Sequence, residues 1–490
     1  MASMLDIRRL GAGILAVALT ATLIWFGTGL HPWWPLMWFA PLPVLWFAAE
    51  ASWWATGLAA FLALPLGMLN IWVFFHTFLP PAILVRIYVI EGLVFALAVL
   101  LYRALLRRRA HSAALLGFPA LLVSFEWLLN LAAPHGTGGS LAYTQLDFLP
   151  FLQLASITGP WGMSFLLLMF STAIALGWHL HKSAHKDAVR ILGVTGGVLV
   201  AVLIFGTLRL LLQPPAGNTV KVGLVASDGV NEDVADDGMP ASKLFQAYAK
   251  PVAALAEQGA QVVVLPEKLG VTVEPDTKAL DAELQSLAEQ THVMVVAGLI
   301  RVVPPSATHP VKLRYNEARI YTPGLPVASY DKEHMLPPFE SNLTPGTDMT
   351  LLPGADGKGT WGVAICKDMD FTPLGRRYGR AGAGLMLVPG WDFFADYIQH
   401  GHMAIMRGVE SGFSVVRAAK GGSLYASDDR GRVLAEVKSD SAPFATLLVE
   451  VPAAHDPTLF LVLGDWFAWV AVLLLVYALV ELIRLRKREI

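Results

Sequence analysis

Three polar residues of this chain end or follow apolar runs that are typical of β-strands. Cys366, the only cysteine among 490 residues, ends one such run. Glu267 follows a second run, and Lys332 follows a third. A cysteine needs a base or a neighbouring cation to act as a nucleophile, because its thiolate is the reactive form. The three residue types therefore indicate a cysteine nucleophile with a carboxylate base and a cationic partner.

Each of these residues has a chemical and a structural interpretation. In the first, Glu267 takes the thiol proton and returns it to a leaving group, while Lys332 or the backbone N–H after Cys366 stabilises an oxyanion. Glu340, eight residues after Lys332, orients the lysine or assists the base. In the second, Cys366 packs as a small hydrophobe and the charges are solvated. Spacing alone does not bring the three residues together.

The composition is that of a membrane protein, because 55% of the residues are hydrophobic and only 15% are charged. The formal net charge of −2 gives no reason to expect a nucleic-acid partner. A single cysteine excludes an intramolecular disulfide. We expect neither a metal nor a cofactor.

Eight stretches are long and apolar enough for a bilayer span, which takes about 20 helical residues. Pro35, Pro41 and Pro43 make the second the least regular. The first seven lie within a transmembrane region at 1–213, and the eighth precedes a basic tail within 459–490. The stretches are 10–30, 33–49, 53–78, 82–106, 112–131, 160–180, 191–213 and 459–483.

Basic residues set the expected orientation, because short cytoplasmic loops are rich in Lys and Arg. With eight spans, every basic cluster falls on one face. We therefore expect both termini in the cytoplasm and the segment 218–452 on the external face. The clusters are Arg8 and Arg9; Arg103 and Arg107 to Arg109; Lys182, Lys186 and Arg190; and Arg484 and Arg486 to Arg488.

The segment 218–452 holds most of the Asp and Glu residues. Strand-like runs alternate there with helical periodicity at 241–258, 278–290 and 400–412. This alternation predicts a layered α/β domain. The strand-like runs are 220–226, 262–265, 293–299, 318–321, 361–366, 385–388, 414–418 and 446–451.

Three short blocks resemble those of the carbon–nitrogen hydrolase (nitrilase) superfamily. They are Leu265-Pro266-Glu267, then Tyr330-Asp331-Lys332 with His334 and Glu340, then Ala364-Ile365-Cys366. The resemblance implies an α-β-β-α sandwich with a Glu-Lys-Cys triad. It makes Glu267 the general base, Lys332 the oxyanion stabiliser and Cys366 the nucleophile.

A nitrilase-like external domain before the last of eight helices is similar to the apolipoprotein N-acyltransferase family. Segments 125–127, 139–145 and 152–159 resemble that family's region between the fifth and sixth helices, and Tyr315-Asn316 resembles one of its strands. The resemblance implies a bacterial inner-membrane enzyme. Its cysteine takes an acyl chain from a phospholipid as a thioester and passes it to the α-amine of a diacylglyceryl-cysteine on a lipoprotein. We expect a monomer.

Two stretches depart from the family pattern. Lys367 and Asp368 replace a Tyr-Glu pair after the nucleophile, so that Asp368 has a shorter reach and Lys367 is expected to lower the pKa of the thiol. Trp391-Asp392-Phe393 replaces another family loop, and its aromatic rings are candidates for lipid contact.

These departures leave a second hypothesis open, a membrane-anchored amidase or acyltransferase acting on a different amine or amide. A third is a transporter or a scaffold whose external domain only binds a ligand. The few ionisable residues within the spans argue against transport. They are Glu50, Arg86, Glu91 and Glu126.

Overall fold

The structure is a computed structural model that describes residues 2–212, 218–229, 241–308, 310–354, 357, 359–394 and 399–486. Lys487 and Arg488 of the predicted basic tail lie outside the described residues. The chain divides into two compact units. The first comprises Met1–Leu131, Gly139–Leu211 and Leu463–Ile490, and the second comprises Ala132–Gly138 and Leu212–Val462. The short segment 132–138, which follows the fifth predicted span, thus belongs to the second unit.

The first unit is helical. Its long helices pack against one another both as neighbours in the chain, such as the ninth with the tenth, and as more distant pairs, such as the first with the fourth. The first ten helices are α1 (Ala2–Gly27), α2 (Trp34–Met37), α3 (Leu42–Glu50), α4 (Trp53–Met68), α5 (Trp72–His76), α6 (Pro81–Arg107), α7 (His111–Ala132), α8 (Leu149–Leu152), α9 (Ala155–Leu180) and α10 (His185–Leu211), with 3-10 turns at Leu69–Ile71 and Leu141–Gln145.

Seven helical stretches of the described residues are long and apolar enough to cross a membrane. The predicted span at 33–49 is not among them, because α2 and α3 are short helices separated by a turn at 38–41. Each begins with a proline in its first turn, where the missing N–H is tolerated. The seven are Arg8–Gly27, Trp53–His76, Pro81–Arg107, His111–Ala132, Ala155–Leu180, His185–Leu211 and Trp466–Leu485.

Large apolar side chains lie exposed along these helices. Helices in water bury such side chains, whereas helices in lipid present them outward. The chain is therefore a multi-pass membrane protein. Examples of these exposed side chains are Leu58, Leu97, Val200, Trp469 and Leu473.

The second unit is an α/β fold. In chain order its elements are β1 (Thr219–Ala226), α11 (Ala241–Glu257), β2 (Val262–Val264), β3 (Val271–Val273), α12 (Thr277–Thr291), β4 (Met294–Val303), β5 (Leu313–Tyr321), β6 (Ala328–Asp331), β7 (Leu351–Pro353), β8 (Thr360–Val363), α13 (Thr372–Arg380), β9 (Ala383–Trp391), α14 (Gln399–Ser411), β10 (Ser414–Lys420), β11 (Ser423–Ser427), β12 (Val433–Lys438), β13 (Ala445–Pro452) and α15 (Leu459–Leu463). The 3-10 turns are Cys366–Asp370 and Ser439–Ser441, and α16 (Trp466–Arg486) ends the described chain in the first unit.

Two sheets face each other in this unit. The first has the order β13-β1-β2-β4-β5-β6, with β3 beside β4, and the second has the order β12-β11-β10-β9-β8-β7. Strand residues alternate between faces, so Val264 packs between the sheets while Val263 packs under α11 and α12. Helices α13 and α14 cover the outer face of the second sheet. This arrangement confirms the predicted α-β-β-α sandwich.

Candidate active site

Glu267 and Lys332 stand where strands of the first sheet end. Glu267 follows β2, and its N–H donates to the carbonyl of Gly390 on β9 at 3.2 Å. The backbone of Glu267 also passes close to Gly298 on β4. Only a glycine fits there, because a Cβ on residue 298 would lie 2.7 Å from the Cα of Glu267. Lys332 follows β6, and its N–H donates to the carbonyl of Asn316 at 2.8 Å. Backbone contacts thus fix both residues.

Cys366 begins the 3-10 turn that follows β8, with a φ of +45°. A non-glycine residue in this left-handed region is strained, and the strain persists only where the surroundings hold it. Asp368 supplies part of that hold, because its carboxylate accepts the N–H of Ile365 at 3.1 Å. The nucleophile candidate therefore sits on a sharp turn that its own neighbour fastens.

Asp368 also joins this turn to the loop after Lys332. Its carboxylate accepts the hydroxyl of Tyr330 at 2.9 Å and the N–H groups of Glu333 and His334 at 3.2 and 2.8 Å. The imidazole Nδ1 of His334 lies 3.0 Å away, and Asp368 is fully buried. Asp368 is thus an anchor of the turn, in the place where the sequence puts a supporting carboxylate.

Lys332 is held between two carboxylates. Its Nζ lies 2.9 Å from Oε1 of Glu267 and 2.9 Å from Oε2 of Glu340. The Asn316 amide donates to both carboxylates, at 2.6 Å to Glu267 and 2.9 Å to Glu340. Lys268 makes an ion pair with Glu340 and lies 3.8 Å from Glu267. Two ammonium groups therefore balance two buried carboxylates.

Mutual pairing keeps this cluster ionised. Burial alone would raise the pKa of Glu267, but Lys332 and Lys268 hold it well below its usual range. Burial alone would lower the pKa of Lys332, but Glu267 and Glu340 raise it. The resting cluster is thus a protonated lysine between charged carboxylates.

The resting Cys366 is a thiol. Burial, followed by the charge of Glu267, raises its pKa to about 12, while Arg417 and Lys332 act in the opposite direction. The sulfur lies 3.6 Å from the carbonyl oxygen of Trp391 and 3.6 Å from Nη2 of Arg417. The thiol therefore donates to a carbonyl on one side and accepts from a guanidinium on the other.

Arg417 and its partner Asp392 are site residues that no sequence pattern predicted. Arg417 donates from Nη1 and Nη2 to the two oxygens of Asp392, both at 2.6 Å, and neither residue is more than 2% exposed. A signal existed, because Arg417 interrupts the apolar run at 414–418. No spacing rule connects it to Asp392.

Lys367 does not supply the expected cation to the thiol. Its Nζ lies 3.2 Å from Nδ1 of His135 and 3.3 Å from Asp370. The cations that lower the pKa of Cys366 are instead Arg417 and Lys332.

Of the remaining predicted residues, one joins the polar cluster and the others make contacts outside it. Asn316 reaches the cluster, whereas Tyr315 stacks on Arg301 at 4.5 Å, because neighbouring strand residues point to opposite faces. The Trp391 ring lies 3.8 Å from Nζ of Lys420 and 5.4 Å from that of Lys268.

The ring of Phe393 packs at 5.6 Å against that of Phe339, which is half exposed. Phe393 directly follows Asp392, and Phe339 directly precedes Glu340. Each ring is therefore adjacent in sequence to a buried carboxylate of the site.

Both parts of the chain match known families. Residues 14–173 match the family described as Apolipoprotein N-acyltransferase N-terminal domain, and residues 237–447 match the Carbon-nitrogen hydrolase family. The apolipoprotein N-acyltransferase of Geobacter metallireducens is 28% identical over 73% of this chain and 72% of its own length. That of Bradyrhizobium diazoefficiens is 26% identical over 80% of this chain and 76% of its own length.

Among solved structures, Nit3 of Saccharomyces cerevisiae, a member of branch 10 of the nitrilase superfamily, is 23% identical. It covers 47% of this chain and 89% of its own length, with a TM-score of 0.40.

Proposed function

We propose that this chain, which belongs to the apolipoprotein N-acyltransferase family, transfers an acyl chain from a membrane phospholipid to lipoproteins. The acceptor is the α-amine of the N-terminal diacylglyceryl-cysteine. The observation that carries the proposal is the buried cluster in which Glu267 and Lys332 lie within electrostatic reach of the single cysteine. The relatives that match both parts of the chain are N-acyltransferases, so the amidase hypothesis is not favoured.

In the first step, the sulfur of Cys366 attacks the ester carbonyl of the phospholipid. Glu267 takes the thiol proton, and Lys332 stabilises the oxyanion that forms. Collapse of the tetrahedral intermediate breaks the ester C–O bond, and Glu267 returns the proton to the leaving alkoxide. The products are a thioester on Cys366 and a lysophospholipid.

In the second step, the lipoprotein amine attacks the thioester carbonyl. Glu267 takes a proton from the amine nitrogen, Lys332 again stabilises the oxyanion, and the C–S bond breaks. The proton then passes to the sulfur. This regenerates the thiol of Cys366 and leaves an amide on the lipoprotein.

In this proposal, residues 218–452 form the catalytic domain, and the regions 1–213 and 459–490 hold it at the bilayer that supplies both substrates. The basic clusters support an orientation with both termini in the cytoplasm and the domain on the periplasmic side. This orientation requires α2 and α3 to cross together as a broken span, since seven spans alone would put the termini on opposite faces. One copy suffices, because all three reacting residues come from one chain. We assign acyl-chain contact to Trp391, Phe393 and the neighbouring Phe339.

The test uses the full-length protein in detergent with a phospholipid and a synthetic diacylglyceryl-cysteine peptide. The wild-type protein is expected to yield the N-acylated peptide, and Cys366→Ala is expected to yield none while keeping its melting temperature. A Cys366→Ala variant that still N-acylates the peptide would refute the proposal. Cleavage of small amides with no use of phospholipid would point to the amidase instead.

A further inference from the structure

We propose that Arg417 is a further catalytic residue, which stabilises the negative charge on the sulfur of Cys366 as the thioester forms and as it breaks. The inference rests on the proposed function only in taking Cys366 as the nucleophile. It gives the sulfur a cation of its own, separate from the lysine that serves the oxyanion.

The geometry of the guanidinium supports this role. Nη2 of Arg417 lies 3.6 Å from the sulfur, which is within hydrogen-bonding range for sulfur, and 2.6 Å from Oδ1 of Asp392. Each terminal nitrogen of an arginine carries two N–H donors, so Nη2 can serve both partners. Asp392 also binds Nη1 at 2.6 Å, which fixes the plane of the guanidinium. Asp392 is thus the positioning residue and Arg417 touches the reacting atom.

Lys332 is poorly placed to serve the sulfur as well. Glu267 and Glu340 both hold its Nζ at 2.9 Å, and its charge is needed by the oxyanion during each step. The backbone around the sulfur offers an acceptor, the carbonyl of Trp391, which suits a thiol and opposes a thiolate. Arg417 is the cation whose hydrogen-bond donor contacts the sulfur in the described part of the chain.

The role matters most when the thioester breaks. The attacking amine forms a C–N bond, the C–S bond breaks, and its electron pair moves to the sulfur. The proton from the amine nitrogen reaches the sulfur through Glu267 afterwards. Between these events the sulfur carries a negative charge in a buried site, where a fixed guanidinium stabilises it far more than it would in water. The same contact favours the thiolate during the first attack.

The single cysteine makes a direct test possible, because every thiol alkylation reports on Cys366. The full-length protein in detergent is treated at fixed pH with iodoacetamide and, separately, with the bulkier N-ethylmaleimide. Arg417→Gln is expected to slow both reactions by the same factor, roughly threefold for each unit by which the thiol pKa rises, because a more basic thiolate is also more nucleophilic. Arg417→Lys keeps a cation, and its alkylation rates are expected to lie between those of the wild type and those of Arg417→Gln.

A matched control is the buried pair Arg407 and Glu410 on α14, which are 2.8 Å apart. Arg407→Gln/Glu410→Gln is expected to leave the alkylation rates unchanged. Where Arg417→Gln does not fold, Arg417→Gln/Asp392→Asn leaves no unpaired buried charge. It is expected to slow alkylation by a smaller factor, because the charge of Asp392 raises the pKa of the thiol and is removed as well. The inference is wrong if the Arg417 variants react within about twofold of wild type, if only the bulkier reagent is slowed, or if the control slows equally.

The outcome is separable from the proposed function, because alkylation needs no lipid. Slowed alkylation of Arg417→Gln, together with a wild-type protein that takes no acyl chain from phospholipid, would reject the function and keep the inference. Unchanged alkylation together with normal acyl transfer would do the reverse.

Discussion

The ammonium of Lys332 lies 2.9 Å from Oε1 of Glu267, and both side chains are almost completely buried. Lys332 keeps the Glu267 carboxylate ionised. The negative charge of Glu267 in turn raises the pKa of Cys366 and helps to keep it a thiol. Glu267 is therefore a weak base in the resting protein. Lys332 lowers the pKa of Glu267. An oxyanion that forms beside Lys332 offsets this positive charge, so the pKa of Glu267 rises and the carboxylate becomes a stronger base as the C–S bond forms. Proton transfer is thus coupled to substrate attack.

Glu267→Gln is expected to change enzymatic and chemical reactivity in opposite directions. The amide cannot accept the proton, so single-turnover transfer of an acyl chain should fall about 10²- to 10⁴-fold. The charge of Glu267 raises the pKa of the thiol. Its removal should therefore speed alkylation of Cys366 by iodoacetamide, roughly threefold for each unit by which that pKa falls, because a less basic thiolate is also less nucleophilic. Parallel slowing of both reactions would contradict the assignment of Glu267 as the base.

The alkylation of the wild-type thiol should depend steeply on pH. Because the pKa of Cys366 is raised to about 12, the thiolate is a minor species throughout the neutral range. The rate with iodoacetamide should rise about tenfold per pH unit from roughly pH 7 to pH 9.5 without levelling off. A plateau at or below about pH 8.5, the value of a free cysteine, would show that the resting sulfur is a thiolate.

Asp368→Asn should weaken both the domain and the nucleophile turn. The carboxylate accepts hydrogen bonds from three backbone N–H groups and a tyrosine, and an amide group would turn donors toward donors. Leaving a buried group unpaired costs about 2 kcal/mol, or roughly 4–8 °C in the melting temperature of a domain of this size. The acylation rate of the folded fraction should fall as well.

The matched control for this variant is Asp370→Asn, which removes a buried carboxylate from the same turn. Its ion pair is with Lys367, away from the sulfur. It is expected to lower the melting temperature with little change in the rate at which phospholipid acylates Cys366 in the folded fraction. An equal fall in the acylation rate of both variants would show that Asp368 does not hold the turn more firmly than Asp370 does.

Lys367→Gln tests the revised origin of the cation beside the thiol. The Lys367 ammonium is directed to His135 and Asp370. Iodoacetamide should therefore alkylate Cys366 in this variant at the wild-type rate and with the wild-type pH dependence. A slope displaced to higher pH in Lys367→Gln would mean that Lys367, despite its contacts, acts on the thiol.

The ends of apolar runs singled out Glu267, Lys332 and Cys366 as candidates, and the family resemblance grouped them into one predicted site. The sequence located Asn316 through a family resemblance. It did not locate Arg417, because that residue lies within β10 and its partner Asp392 is distant along the chain. Contacts of this kind depend on how two strands of a parallel pair align, as Arg417 and Val388 do, and no local pattern records that alignment.

The fold was predicted where the hydrophobic period was clear. Among the missed strands, β7 has only three residues and ends in Pro353, and β12 lies at the edge of its sheet with residues that are exposed or half exposed. The helix α13 was missed because it is short and carries three arginines. The segment 132–138 was assigned with the spans, although its contacts with Asp370 and Lys367 place it in the second unit.

In the proposed reaction, Cys366 carries the acyl chain between the phospholipid and the lipoprotein. Intact-protein mass spectrometry of the full-length protein, mixed with a phospholipid of known acyl chains, tests it directly. The predicted result is a mass increase of one acyl chain, mapped to Cys366 by digestion, labile to hydroxylamine and lost on addition of a diacylglyceryl-cysteine peptide. An acyl adduct that persists in Cys366→Ala would show that Cys366 is not the acyl carrier. So would a wild-type protein that N-acylates the peptide from phospholipid while Cys366 stays blocked by iodoacetamide.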